Sequence, residues 1–303
     1  MKNTIIILCT VVFIVSCSIS VEVLNSAIKD GDIEQVRQIL DRDPILVQKF
    51  DSYKNNPISI AIENENIKMV DLFLDYGANP NSEIFYKEKM SLLYYSILME
   101  ESNLALKLLH LGSSIDYVTD SDGFPLLHLA AVKASDKVFD EIISREPDLS
   151  VKIAEDEYAF YSAIVAHKPM RAIKLCSPEL LNSVNKSKLW FEIVSNWEDG
   201  SEELGNEIKN EIGLLLFEDA LLFEGIYWGN YEAVEWLIDN GLNPNKRINA
   251  VQIGYLGDTP IDEAKIRRGR LISYSGGDTK LSTDDPEVKS YDRIIELLEN
   301  TSN

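Results

Sequence analysis

The chain has 303 residues, 45% hydrophobic and 26% charged, enough apolar material for a packed core and too much for a disordered class. Its 50 acidic against 29 basic side chains leave a formal charge of −21, which repels nucleic-acid phosphates and anionic lipid head groups and suits a neutral or basic protein partner. Of three cysteines, Cys9, Cys17 and Cys176, two lie at the N-terminus, so the remainder cannot build a disulfide framework.

Lys2 precedes an apolar run from Ile5 to Val15 and then the small residue Ser16, the order of a secretory signal peptide. A spanning helix needs roughly 20 apolar residues, and this run is too short. Its end, Ile14-Val15-Ser16-Cys17, resembles the lipobox of bacterial lipoproteins, in which the cysteine is acylated and opens the mature chain. The alternative is ordinary cleavage near Ser16 or Ser18. On the lipobox reading, residues 1–16 are the signal, Cys17 is the lipidation site and residues 17–21 form a tether. Cleavage then removes Lys2 alone among charged residues and takes the charge from −21 to −22. Ser18, in place of Asp, resembles an outer-membrane sorting signal and puts the protein on the periplasmic face of the cell envelope.

Beyond residue 22 the chain repeats with a period of about 33 residues. The first clear unit reads Asn56-Pro57-Ile58-Ser59-Ile60-Ala61, continues through Val70-Asp71-Leu72-Phe73-Leu74 and closes with Asp75-Tyr76-Gly77-Ala78-Asn79-Pro80-Asn81. The sharpest is Asp122-Gly123-Phe124-Pro125-Leu126-Leu127-His128-Leu129-Ala130-Ala131. Another follows the link Gly229-Asn230-Tyr231-Glu232 and closes with Gly241-Leu242-Asn243-Pro244-Asn245; the last opens with Asp258-Thr259-Pro260-Ile261-Asp262-Glu263-Ala264. A small residue recurs at one position, Ala27, Ala61, Ala130, Ala163, Gly225 and Ala264. Tyr95 breaks that rule and predicts a distorted unit. The double spacing from Ala163 to Gly225 predicts a degenerate unit near 180–217, with helices over Leu189–Val194 and 208–216 joined by the acidic stretch Glu198–Glu203. Gly77, Gly112 and Gly241 follow apolar runs, where a residue at positive φ closes a helix. An insertion at 269–289, rich in Gly, Ser, Thr and Asp, is expected as an exposed loop before a closing amphipathic helix from Tyr291 to Leu298.

The segment Asp122–Ala131 resembles the ankyrin opening D-G-x-T-P-L-H-x-A-A, with the Thr-Pro pair replaced, and the Gly77 and Gly241 segments resemble the G-A-x-x-N ending. The resemblance covers residues 22–300. It implies an all-α ankyrin-repeat solenoid of seven to eight helical hairpins with short β-hairpin-like fingers, each hairpin stable only when stacked on its neighbours. It also implies a concave binding face made of finger tips and the exposed sides of the first helices. On that face the aromatics Tyr53, Phe85, Tyr86, Tyr117, Phe124, Tyr158 and Trp228 are candidate anchors. The acids Asp51, Asp120, Asp122, Glu155, Asp156 and Glu157 would steer a basic partner. Some of these aromatics are expected to pack between fingers, and Trp236 is assigned to the core.

The motifs G-x-S-x-G, G-x-x-x-x-G-K, H-E-x-x-H and C-x-x-C do not occur. His128 stands at the T-P-L-H position, where the resemblance implies a hydrogen-bonded brace, and Cys176 reads as a buried small hydrophobe. Lys265, Arg267, Arg268 and Arg270 form the one basic cluster, a candidate for helix capping or for lipid phosphates. We therefore expect no catalytic residue, no cofactor, no metal and no small-molecule substrate, and membrane contact through the lipid anchor alone. An envelope ankyrin protein is similar to immunity proteins that neutralise toxins delivered between bacteria, phospholipase effectors of type VI secretion among them. The competing readings are an envelope scaffold and an enzyme whose site lies in 180–217.

Overall fold

Helices of fewer than ten residues are marginal alone, and here five first helices are stopped by a backbone reversal and followed at once by a second helix. The reversal residues are Gly31, Glu65, Glu100, His167 and Gly229, all at positive φ. Asp32 and Asn66 then cap the second helices, accepting from the Gln35 and Met69 amides at 2.9 and 3.1 Å. The computed structural model describes residues 20–51, 55–119, 123–153, 157–214, 220–248, 254–273 and 281–301. The proposed signal and Cys17 lie outside them. Among the described residues no helix is long and apolar enough to cross a membrane.

The chain divides into two compact units, Met1–Leu92 and Leu93–Asn303. The first holds the pairs α1 (Val21–Lys29) with α2 (Ile33–Arg42) and α3 (Pro57–Glu63) with α4 (Ile67–Asp75). Between the two pairs lies a 3-10 turn, Pro44–Gln48. Ala27 and Ala61 are fully buried, which lets α1 approach α3. After Gly77 the chain forms a finger, β1 (Glu83–Tyr86) antiparallel to β2 (Glu88–Ser91), with Ile84 and Met90 paired on the buried side and Phe85 turned outward.

α5 (Leu92–Leu98) starts on the boundary, and the second unit continues with α6 (Ser102–His110), α7 (Leu126–Lys133), α8 (Asp136–Ile143), α9 (Ala159–Val165) and α10 (Pro169–Leu175). A single short helix, α11 (Pro178–Ser183), precedes the pairs α12 (Lys186–Ser195) with α13 (Ser201–Ile212) and α14 (Ala220–Tyr227) with α15 (Tyr231–Asp239). Then come α16 (Pro260–Ser273) and α17 (Pro286–Thr301). First helices pack on first helices, α7 on α9, α9 on α12, α12 on α14 and α14 on α16, while α6 packs on α8, α10 on α13 and α15 on α17. Two such rows sharing one core are what stacked hairpins require.

Gly77, Gly112 and Gly241 all take positive φ after a second helix, and Glu146 holds the same place after α8 at φ 54° despite its side chain. Tyr95, expected to distort its unit, is buried within an unbroken α5.

Two boundaries differ from the sequence reading. The stretch 269–289 is not one loop: α16 runs through Ser273 and α17 begins at Pro286. Asp285-Pro286-Glu287 is a helix start, with Pro at the first position and the Asp285 carboxylate accepting from the Glu287 amide at 3.0 Å. In the degenerate unit α13 begins at Ser201 and ends at Ile212, so Glu202 and Glu203 form its first turn, where carboxylates suit the helix dipole.

Candidate partner-binding face

The sequence candidates fall into four groups. Tyr53, Asp120, Asp122, Glu155 and Asp156 lie outside the described residues. Tyr158 is not an exposed anchor: it is 7% exposed and stacks on Phe160 with centroids 5.8 Å apart, because the bridge between Lys152 and Tyr158 turns it inward. Tyr86, Tyr117 and Phe124 are half-buried. The Lys87 ammonium sits over the Tyr86 ring, Tyr117 meets Tyr94 edge-on at 5.7 Å, and Phe124 meets His128 edge-on at 5.9 Å. Phe85 and Trp228 stay open, at 64% and 56% exposure. Phe85 belongs to the first unit and Trp228 to the second, while Tyr117 and Phe124 share one finger, closed by the bridge between Val118 and Pro125.

Trp228 is held still. Its indole N–H donates to Glu224 Oε1 at 2.8 Å, and the same carboxylate takes the Ser195 hydroxyl at 2.8 Å and, through Oε2, the Tyr255 hydroxyl at 2.6 Å. Burial and the Glu224 carboxylate together push the Tyr255 hydroxyl well above the usual phenol range. Tyr227 lies edge-on to Trp228 at 5.2 Å, with the Arg267 guanidinium 3.9 Å from its own ring centre.

A groove that the motif search did not single out lies on the first-helix row of the second unit. It holds about 390 Å³ and is lined by Val132 of α7, Tyr161, Ser162, Val165 and the adjoining Ala166 of α9, and Lys188 and Glu192 of α12, with Glu157 at one end. Val165 is 55% exposed in it. The signal was present but unread: Val132 and Val165 each stand two residues after the repeating alanines Ala130 and Ala163, on the side of the helix that the alanine does not bury.

Charge enters the groove at both ends. Lys188 Nζ is 3.8 Å from Glu157 and 5.2 Å from the centre of the Tyr161 ring. Glu192 accepts from the Asn196 side-chain amide at 3.4 Å. The position of Glu157 is set from below by His128, whose Nε2 lies 3.0 Å from the Glu157 carbonyl oxygen. A carbonyl only accepts, so Nε2 carries the proton. Burial holds the imidazole below its ordinary value, against the smaller opposing pull of the Glu157 carbonyl, and so keeps it neutral.

Two further polar side chains hold this region. Arg171 of α10 is buried and closes the end of α7, donating to the carbonyls of Ala130, Ala131 and Ala134 at 3.1, 3.2 and 2.6 Å and to Asp136 at 2.7 Å. Hydrogen bonding from that guanidinium, aided by its charge, holds the Asp136 carboxyl below the usual carboxylate range. Burial pushes the Cys176 thiol up to about 12, which keeps it protonated and a poor nucleophile. Of the basic cluster, Lys265 pairs with Glu299 at 2.9 Å, Arg267 with the buried Glu263 at 2.7 Å, and Arg268 with Asp292. Among the described residues no group of three or more His, Cys, Asp or Glu could hold a metal ion.

Residues 53–83 match the family model of the ankyrin repeat. No curated protein matches the chain. The matched stretch includes α3 and α4 and ends at the first residue of β1, so the chain contains an ankyrin repeat, and its mainly helical pairs fit a repeat fold built on that unit. Ankyrin repeats point to a role in protein–protein interaction.

Proposed function

We propose that each helix pair, from α1 with α2 to α16 with α17, is one repeat of the ankyrin type, and that the chain is a binding protein without a catalytic site of its own. Held by Cys17 at the periplasmic face of the envelope, in the outer membrane, it would neutralise a secreted interbacterial toxin, a phospholipase effector of type VI secretion, by one-to-one binding. The observation that carries the binding reading is the open groove on the first-helix row, lined by the apolar Val132, Val165 and Tyr161 together with the charged Glu157, Lys188 and Glu192, which is the composition of a recognition surface. The charge of −21 supports a basic partner. The anchor rests on the sequence Ile14-Val15-Ser16-Cys17, and the toxin on the pairing of that anchor with an ankyrin repeat.

The test is a pull-down of envelope and secreted proteins on the chain from Ser18 onward, followed by a toxicity assay of whatever elutes at one-to-one ratio. A toxic protein whose action the chain suppresses is the expected result. A resident envelope protein without toxicity would replace immunity with a scaffold role, and elution of nothing at that ratio would end the binding reading.

A further inference from the structure

We propose that the groove between α7, α9 and α12 is the seat of one arginine side chain from a basic partner protein, its aliphatic stem on Val132, Val165 and Tyr161 and its guanidinium on Glu192. This rests on the protein-binding reading above and names the chemistry of its central contact. Three observations lead to it. The groove is lined by the apolar Val132, Val165 and Tyr161 and also by the carboxylates of Glu157 and Glu192. A purely apolar occupant would desolvate the Glu192 carboxylate against a single long hydrogen bond, and an acidic one would face two like charges. A long side chain with an apolar stem and a cationic head satisfies both demands.

The chain itself shows that a cation is stable there. Lys188 places its ammonium 3.8 Å from Glu157 and over the Tyr161 ring at 5.2 Å, so one end of the groove already holds the interaction proposed for the other. Lys188 serves Glu157, whereas among the described residues the Glu192 carboxylate accepts only a long hydrogen bond from Asn196 at 3.4 Å and keeps oxygen lone pairs for a fork-shaped donor. Arginine is favoured over lysine because its planar guanidinium engages a carboxylate through two parallel bonds. The His128 bond to the Glu157 carbonyl fixes the finger end of the groove before any partner arrives.

The experiment titrates the chain from Ser18 onward with three blocked tetrapeptides, Gly-Leu-Xaa-Gly, in which Xaa is arginine, citrulline or glutamate, while the methyl resonances of Val132 and Val165 are followed by NMR. Citrulline keeps the shape of arginine and removes its charge. Saturable shifts with the arginine peptide, absent with the other two, are expected. Glu192→Gln should weaken that binding about tenfold, and Asp140→Asn on the outer side of α8 should leave it unchanged. Equal response to citrulline, or indifference to Glu192→Gln, would overturn the proposal. The pull-down repeated with Glu192→Gln and with Val165→Trp separates the two levels. A partner retained equally by both variants sinks the groove and leaves protein binding standing, while a native chain that retains no partner sinks the binding reading and leaves the groove to the peptide titration.

Discussion

Between Leu126 and Leu175 neighbouring hairpins meet through alanines, Ala130 and Ala163 in α7 and α9, both fully buried. Between Lys186 and Ile212 the same job is done by tryptophans. Trp190, Trp197 and Trp236 form one cluster, with Trp236 5.9 Å from Trp190 and 5.3 Å from Trp197. The repeating small position is filled there by the buried Ile193 of α12, and the room it no longer supplies is found instead at Gly205 of α13, where an added Cβ would stand 3.1 Å from the Trp236 ring. The contrast shows that stacking needs one small residue per interface but not at one fixed place. A repeat can lose its sequence signature and keep its hairpin if bulk and space are exchanged together.

The most direct way to break that comparison is Trp190→Ala. Trp190 is fully buried and its indole N–H reaches the Gly213 carbonyl at 3.3 Å, so the substitution should cost about 4 kcal/mol in urea unfolding. A cost below about 1 kcal/mol would show that the cluster is ornament and that the α12–α13 pair is held by something else.

On the regular side the corresponding lesion is Arg171→Ala, which removes the guanidinium from three buried carbonyls and leaves Ala130 with the Ala134 amide alone. Roughly 3 kcal/mol is expected, nearly all of it from the carbonyls, because the Asp136 side chain is 89% exposed and its ion pair is screened. If Asp136→Asn alone costs as much, the carbonyl account is wrong.

Gly205→Val sharpens the exchange argument. Overpacking against Trp236 should cost about 2 kcal/mol and change the near-ultraviolet circular dichroism of the tryptophans. The same substitution with no spectral change would mean that the ring does not depend on the space at Gly205.

The smallest effect is a pH dependence confined to the regular pairs. Buried His128 takes up a proton less readily folded than unfolded, where its ordinary value is 6.5. Stability from this group is therefore complete above about pH 6.5 and falls as pH drops toward the depressed folded value. Urea midpoints should decline from pH 7.5 to pH 5.5 in the native chain and decline less in His128→Gln, which keeps a donor for the Glu157 carbonyl. Equal declines in both would assign the effect elsewhere.

What could be read in the sequence was whatever repeats. Gly77, Gly112 and Gly241 follow the period, and each takes the positive φ expected of it; Leu-His-x-Ala-Ala marks α7 and its brace to the next finger. What could not be read depends on contacts far apart in the chain or on composition that misleads. Arg171 bonds carbonyls some forty residues back, and nothing in Pro169-Met170-Arg171 announces it. The 269–289 stretch is helical at its start because α16 continues through Ser273, and at its end because Asp285-Pro286 starts a helix, a local signal masked by the Gly and Ser nearby. The finger aromatics were overvalued because alternation along a finger turns residues such as Tyr158 inward, while Val132 and Val165, plain aliphatic residues on the open side of first helices, drew no notice.

The account stands most directly on whether the first-helix row is where a partner sits. A photocrosslinking amino acid in place of Val165, in the groove, and in place of Asp140, on the second-helix side, would be irradiated in intact cells. One discrete protein adduct is expected from position 165 and none from position 140. Adducts from 140 alone, or equal adducts from both, would contradict it.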